Sequence, residues 1–73
     1  MDTLDLHNIT HADARILAEE FIIKNYTSLP IEIITGNSIK MQNIVKEIIK
    51  NHNLRISPSH ASNLGSYIIN SLI

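Results

Sequence analysis

Two side chains capable of acid–base chemistry stand close together near the start of the chain. They are Asp5 and His7, in the run Leu4-Asp5-Leu6-His7-Asn8. An imidazole titrates near neutral pH and can give or take a proton there. A carboxylate beside it orients the ring and favours the imidazolium. In an extended strand successive side chains point to opposite faces. Leu4 and Leu6 then share one face, and Asp5 and His7 the other. An amphipathic strand with a solvated outer face accounts for the same alternation, so the pair gains meaning from what lies beside it.

A second group follows at Thr35-Gly36-Asn37-Ser38-Ile39-Lys40. A glycine turn leading into a helix presents first-turn amides that have no partner within the helix, and such a terminus accepts anions. Lys40 adds positive charge, while Ser38 also reads as a simple N-cap. A phosphate held over residues 36–40, with the His7 imidazole beside it, is an arrangement suited to phosphodiester cleavage. His60, in a polar loop from Ser59 to Gly65, and Asn8 are possible additional contributors. His11 reads as an exposed residue of the first helical turn, and His52 as a helix-ending residue that complements the dipole. No pair of histidines has a metal-ligand spacing and there is no cysteine, so neither a structural metal nor a disulfide is expected. No cofactor is predicted.

These groups need elements to position them. A first strand is read at Thr3 to His7. Thr10 and Asp13 resemble a capping box opening a helix from His11 to Asn25, with Ala14, Leu17, Ala18 and Phe21 facing inward and Glu19, Glu20 and Lys24 outward. Ile31 to Thr35 is a β-branched second strand. Ile39 to His52 is a second helix with Met41, Ile44, Val45, Ile48 and Ile49 as its apolar stripe. Leu54 to Ile56 reads as a short third strand ending at Pro58, and Ser66 to Leu72 as a fourth. The order β-α-β-α-β-β predicts an α/β two-layer sandwich, with a mixed four-stranded sheet and both helices on one face. The first two strands, parallel through a right-handed crossover, would end at one edge and bring His7 near Gly36.

The chain has 73 residues, enough for one small domain over residues 1–73. A domain this short buries about 60% of its unfolded surface, so a site is expected as a shallow surface cleft. The acidic start lacks a basic secretory n-region, and no apolar run approaches the ~20 residues of a membrane span. A cytoplasmic protein with no membrane partner is the expectation. Net charge is −1, unevenly spread. Residues 1–36 carry Asp2, Asp5, Asp13, Glu19, Glu20 and Glu32 against Arg15 and Lys24, whereas residues 37–73 carry Lys40, Lys46, Lys50 and Arg55 against Glu47. Phe21, Tyr26 and Tyr67 are the only aromatics, so no base-stacking platform is evident.

Leu4-Asp5-Leu6-His7 before a helix, and Ile33-Ile34-Thr35-Gly36 before a second, resemble the Smr (small MutS-related) domain. The resemblance covers essentially the whole chain, including the turn with Gly65. It implies a sandwich like the C-terminal domain of bacterial translation initiation factor three and a nucleic-acid partner, with many members nicking DNA or cleaving RNA, some at ribosomes. It also implies Asp5 and His7 as catalytic residues. The family's second motif, commonly His-Gly-x-Gly, aligns with Thr35-Gly36-Asn37-Ser38. Ser38 replaces the second glycine, and Asn8 stands where glycine usually follows the first motif. The basic residues usual around the second turn are reduced to Lys40.

The leading expectation is an endonuclease, with His7 as general acid/base, Asp5 as its partner and residues 35–38 and 40 cradling substrate. RNA is favoured over DNA on family grounds. The rival is a non-catalytic nucleic-acid- or ribosome-binding module that depends on Lys40 or Lys46. A third possibility is a weak dimer through an open edge of the last strand, Tyr67 to Ile73.

Overall fold

Along Ile31–Ile34 the side chains alternate between fully buried (Ile31, Ile33) and partly exposed (Glu32, Ile34), the signature of a strand with one dry face. The protein is described by a computed structural model over residues 1–60 and 63–72, residues 63 and 64 as backbone only. Its elements are β1 (Thr3–Asp5), α1 (His11–Asn25), β2 (Ile31–Ile34), α2 (Ile39–Asn51), β3 (Arg55–His60) and β4 (Asn63–Asn70). The sheet order is β1-β2-β4-β3, with β1 and β2 parallel and β4 antiparallel to both its neighbours. The expected α/β two-layer sandwich with a mixed four-stranded sheet is therefore present. Among the described residues no helix is long and apolar enough to cross a membrane.

The dry face joins Leu6, Ile31, Ile33, Tyr67 and Ile69 of the sheet layer to buried residues of both helices in one core. The predicted stripe of α2 is buried in full. For α1 the facing is rotated from expectation. Ala14, Ala18, Ile22 and Asn25 are buried, while Leu17 is 37% exposed and Phe21 only partly covered. Ala14 and Ala18 are the small residues at the contact, and interaxial distance follows the size of such residues. Asn25 is satisfied inside by donating from Nδ2 to the Phe21 carbonyl at 2.9 Å.

Capping sets the helix limits. Thr10 Oγ1 accepts from the Asp13 amide at 3.2 Å, and Ser38 Oγ accepts from the Met41 amide at 3.1 Å. α2 ends at Asn51, one residue before expectation. Asn53, at φ +57°, donates to the Lys50 carbonyl while Leu54 donates to that of Ile49, a Schellman closure. His52 caps this end and its ring contacts Glu19 Oε1 on α1. α1 and α2 are also tied by Arg15 and Glu47 at 3.6 Å, both well exposed.

Two strand readings are corrected. β3 does not stop at Pro58 but continues to His60, with an irregularity in register between these residues. It is an edge strand next to an irregularity in register, a place where proline is tolerated. Asn63 and Leu64, read as loop, belong to β4, and residues 61 and 62 of that loop lie outside the described residues. β4 is not an edge. It is paired on both sides, so it offers no open edge to a dimer, and Ile73 lies outside the described residues.

The face away from the helices carries a polar cluster beside the partly exposed Ile34 and Ile68. Glu32 Oε2 accepts from Ser66 Oγ at 2.6 Å and from Ser59 Oγ at 3.0 Å, while Oε1 accepts from Thr3 Oγ1 at 3.3 Å. One carboxylate thus links all four strands. These donors, Ser66 first, hold its carboxyl below the ordinary glutamate range. A depressed folded-state value means the stabilisation is present at neutral pH and is lost as pH falls through that value. We predict that Glu32→Gln costs about 1 kcal/mol at pH 7, the carboxylate being open to water, or roughly 4–8 °C in Tm for a domain this size. The deficit should close below about pH 4 in paired melting curves. A gap unchanged down to pH 3 would exclude the carboxylate as its source.

Candidate functional site

The strand ends at Asp5 because Asp5 itself ends it. Its Oδ1 accepts the backbone N–H of His7 at 3.0 Å, an Asx turn that competes with continued ladder pairing. Leu6 still donates to the Ile34 carbonyl at 2.7 Å, and its buried side chain anchors the turn. Asn8 then adopts φ +66°, a left-handed conformation that asparagine tolerates, and the Ile9 amide closes onto the Leu6 carbonyl at 3.1 Å. His7 therefore lies in a turn and not, as the alternation implied, inside the strand.

The consequence is a direct contact between the two side chains. His7 Nδ1 lies 2.5 Å from the same Asp5 Oδ1. The His7 ring, then its backbone amide, hold the Asp5 carboxyl below its usual range. With Nδ1 engaged, Nε2 is the nitrogen left to exchange protons. The side chains are 57% and 46% exposed, so this pair is open to a large substrate.

The parallel pairing of β1 and β2 brings the second turn alongside. A Cβ built on Gly36 would lie 3.4 Å from the His7 Cβ, so the His7 side chain lies beside the turn where a side chain at position 36 would stand. Gly36 has φ +71°. Its carbonyl accepts from Thr35 Oγ1 at 2.9 Å and from Gln42 Nε2 at 3.2 Å, and its amide donates to Gly65 at 3.0 Å. Beyond it, Ser38 caps α2, the amides of Ile39 and Lys40 belong to the helical turn that lacks internal acceptors, and the Lys40 side chain is exposed.

The predicted residues thus divide. Asp5, His7, Gly36, Asn37, Ser38 and Lys40 gather at the edge where β1 and β2 end, with Asn8 in the same turn. Thr35, expected to touch substrate, is only 2% exposed and spends its hydroxyl on the Gly36 carbonyl, so it shapes the turn from within. His60 ends β3 on the same edge but three strand positions from β1, about 14 Å across. Gln42 was not singled out in the sequence. A buried amide next to Met41 on an apolar helix face is its signal, and its role is to fix the Gly36 turn. Among the described residues no group of three or more His, Asp or Glu side chains converges as a metal site. Open clefts of about 350 and 460 Å³ lie around Leu54 and Leu72 at the other end of the sheet. The candidate site is an open edge.

No protein-family model, curated protein or solved structure matches the chain.

The Gly36 turn should tolerate volume better than it tolerates a side chain at positive φ, because 3.4 Å is an ordinary carbon contact. Gly36→Ala is expected to lose about 1 kcal/mol in urea unfolding, and Gly36→Asn less, since asparagine accepts the left-handed region. Equal losses in the two variants would point to sterics rather than backbone conformation.

Proposed function

We propose that this chain is a minimal Smr-like endonuclease that cleaves a phosphodiester bond, of RNA in preference to DNA, at the edge where β1 and β2 end. The observation that carries the reading is the joint placement of the Asp5–His7 contact and the Gly36 turn, with the His7 Cβ against the turn that opens α2. Amides at the start of α2, with Lys40, bind the non-bridging phosphate oxygens and stabilise the charge that develops on them. His7 Nε2 takes the proton of the attacking oxygen as its bond to phosphorus forms. The bond from phosphorus to the leaving oxygen breaks, and that oxygen is protonated by the imidazolium or by water. Asp5 holds the ring through Nδ1 and compensates its positive charge.

Two departures from the family pattern are mild in conformation. Asn8, in place of a glycine, occupies a left-handed φ open to asparagine. Ser38, in place of the second glycine, has φ −74° and ψ 115°, which any residue adopts. Gly36, the glycine retained, is the one at positive φ.

A non-catalytic module that binds nucleic acid or a ribosome is the second reading. It is favoured by Ser38, whose hydroxyl is spent on the Met41 amide, and by the presence of a single lysine at the turn. Labelled single- and double-stranded RNA and DNA separate the two. The nuclease reading expects cleavage that falls at least 100-fold in His7→Ala while salt-sensitive binding persists. Binding without cleavage by the wild-type chain, weakened in Lys40→Glu, selects the module instead.

A further inference from the structure

The two helices expose surfaces of opposite character. On α1 the pole opposite the buried Ala14, Ala18 and Ile22 carries Ile16 and Ile23, which are 59% and 63% exposed. Residues seven apart lie on one helix face, about 10.5 Å apart along the axis. Exposed Glu20 stands between them, exposed Asp13 lies one turn before Ile16, and exposed Lys24, next to Ile23, lies one turn after Glu20. β-Branched residues gain nothing from a solvated helix position, so local propensity gives no reason for this stripe.

The complementary surface lies where α2 meets β3, at the far end of the sheet from His7. An open cleft of about 460 Å³ is lined by the apolar Leu54, Ile56 and Leu72, by Asn53, and by Lys46 and Lys50. Among the described residues no carboxylate lines it. The Lys46 ammonium lies 5.5 Å from the centre of the Tyr67 ring, which holds it on this side of the helix. One surface is apolar with Glu20 at its centre and charges of both signs around it, and the other is apolar with a basic rim. A net charge of −1 leaves little long-range repulsion between copies.

The geometry points to a second copy of this chain as the occupant: α1 of one copy lies in the α2–β3 cleft of the next, with Ile16 and Ile23 on its apolar lining and Glu20 against Lys46 and Lys50. Patch and cleft are different surfaces, so the contact is head-to-tail and each copy keeps one free surface of each kind. This inference does not depend on the nuclease reading, because the Asp5–His7 edge lies outside both surfaces.

Sedimentation velocity of the whole chain, at rising concentration in low salt, tests it. The wild type is expected to increase in mass with concentration and to revert toward monomer in 0.5 M NaCl. Ile23→Glu and Lys50→Glu, both at exposed helix positions and checked for folding by circular dichroism, should each be monomeric alone. Mixed in equal amounts they should form a 1:1 dimer and nothing larger, because the Lys50→Glu chain keeps an intact α1 face and the Ile23→Glu chain an intact cleft. A wild type that stays monomeric at millimolar concentration overturns the inference. So does a Lys50→Glu chain that still associates, which would mean the α1 faces pair with each other, and so does a mixture that stays monomeric.

Discussion

The Asp5 carboxylate is the hinge of this molecule's architecture and of its candidate chemistry. One oxygen accepts both the backbone N–H and the ring nitrogen of His7. The first contact terminates β1 and turns the chain toward α1. The second fixes the imidazole at that turn. The Asx turn holds the two side chains in contact through Nδ1 and leaves the His7 side chain largely exposed. Everything else at the edge is built to meet this pair: Leu6 pins the turn in the core, β2 runs parallel so that its own turn arrives alongside, and Gly36 has no side chain to separate the two.

Much of this was legible in the residues. The β-α-β-α-β-β order, the stripe of α2, both N-caps and the approach of His7 to Gly36 follow from periodicity, from Thr10 and Ser38, and from the rule that parallel strands end on one edge. The differences have local physical causes. Pro58 reads as a strand stop, but an edge strand beside an irregularity in register tolerates it. Leu17 reads as core on α1 but is exposed, whereas Phe21 packs partly buried against the core; which side of a helix is buried depends on the partner it meets. Ile22 is buried together with the two alanines. The end of β1 was misplaced because alternation says nothing of a side chain that bonds its own backbone.

The site was legible in its residue types more than in its roles. Thr35 and Gln42 converge on one carbonyl oxygen from inside the protein, and neither role can be read without knowing which way the turn faces. The same holds for Glu32. In the sequence it is one polar residue in an apolar strand. In the fold it gathers hydroxyls from three strands that are distant in the chain. Contacts between residues so far apart in sequence carry no periodic signal.

The two margins of the sheet have a consequence for how this protein can meet others. One margin is a strand of three residues, and the other contains a proline and a break in its pairing. Neither offers the long run of unpaired amides and carbonyls on which a foreign chain could extend the sheet. Among the described residues, both margins thus carry features that discourage another chain from extending the sheet.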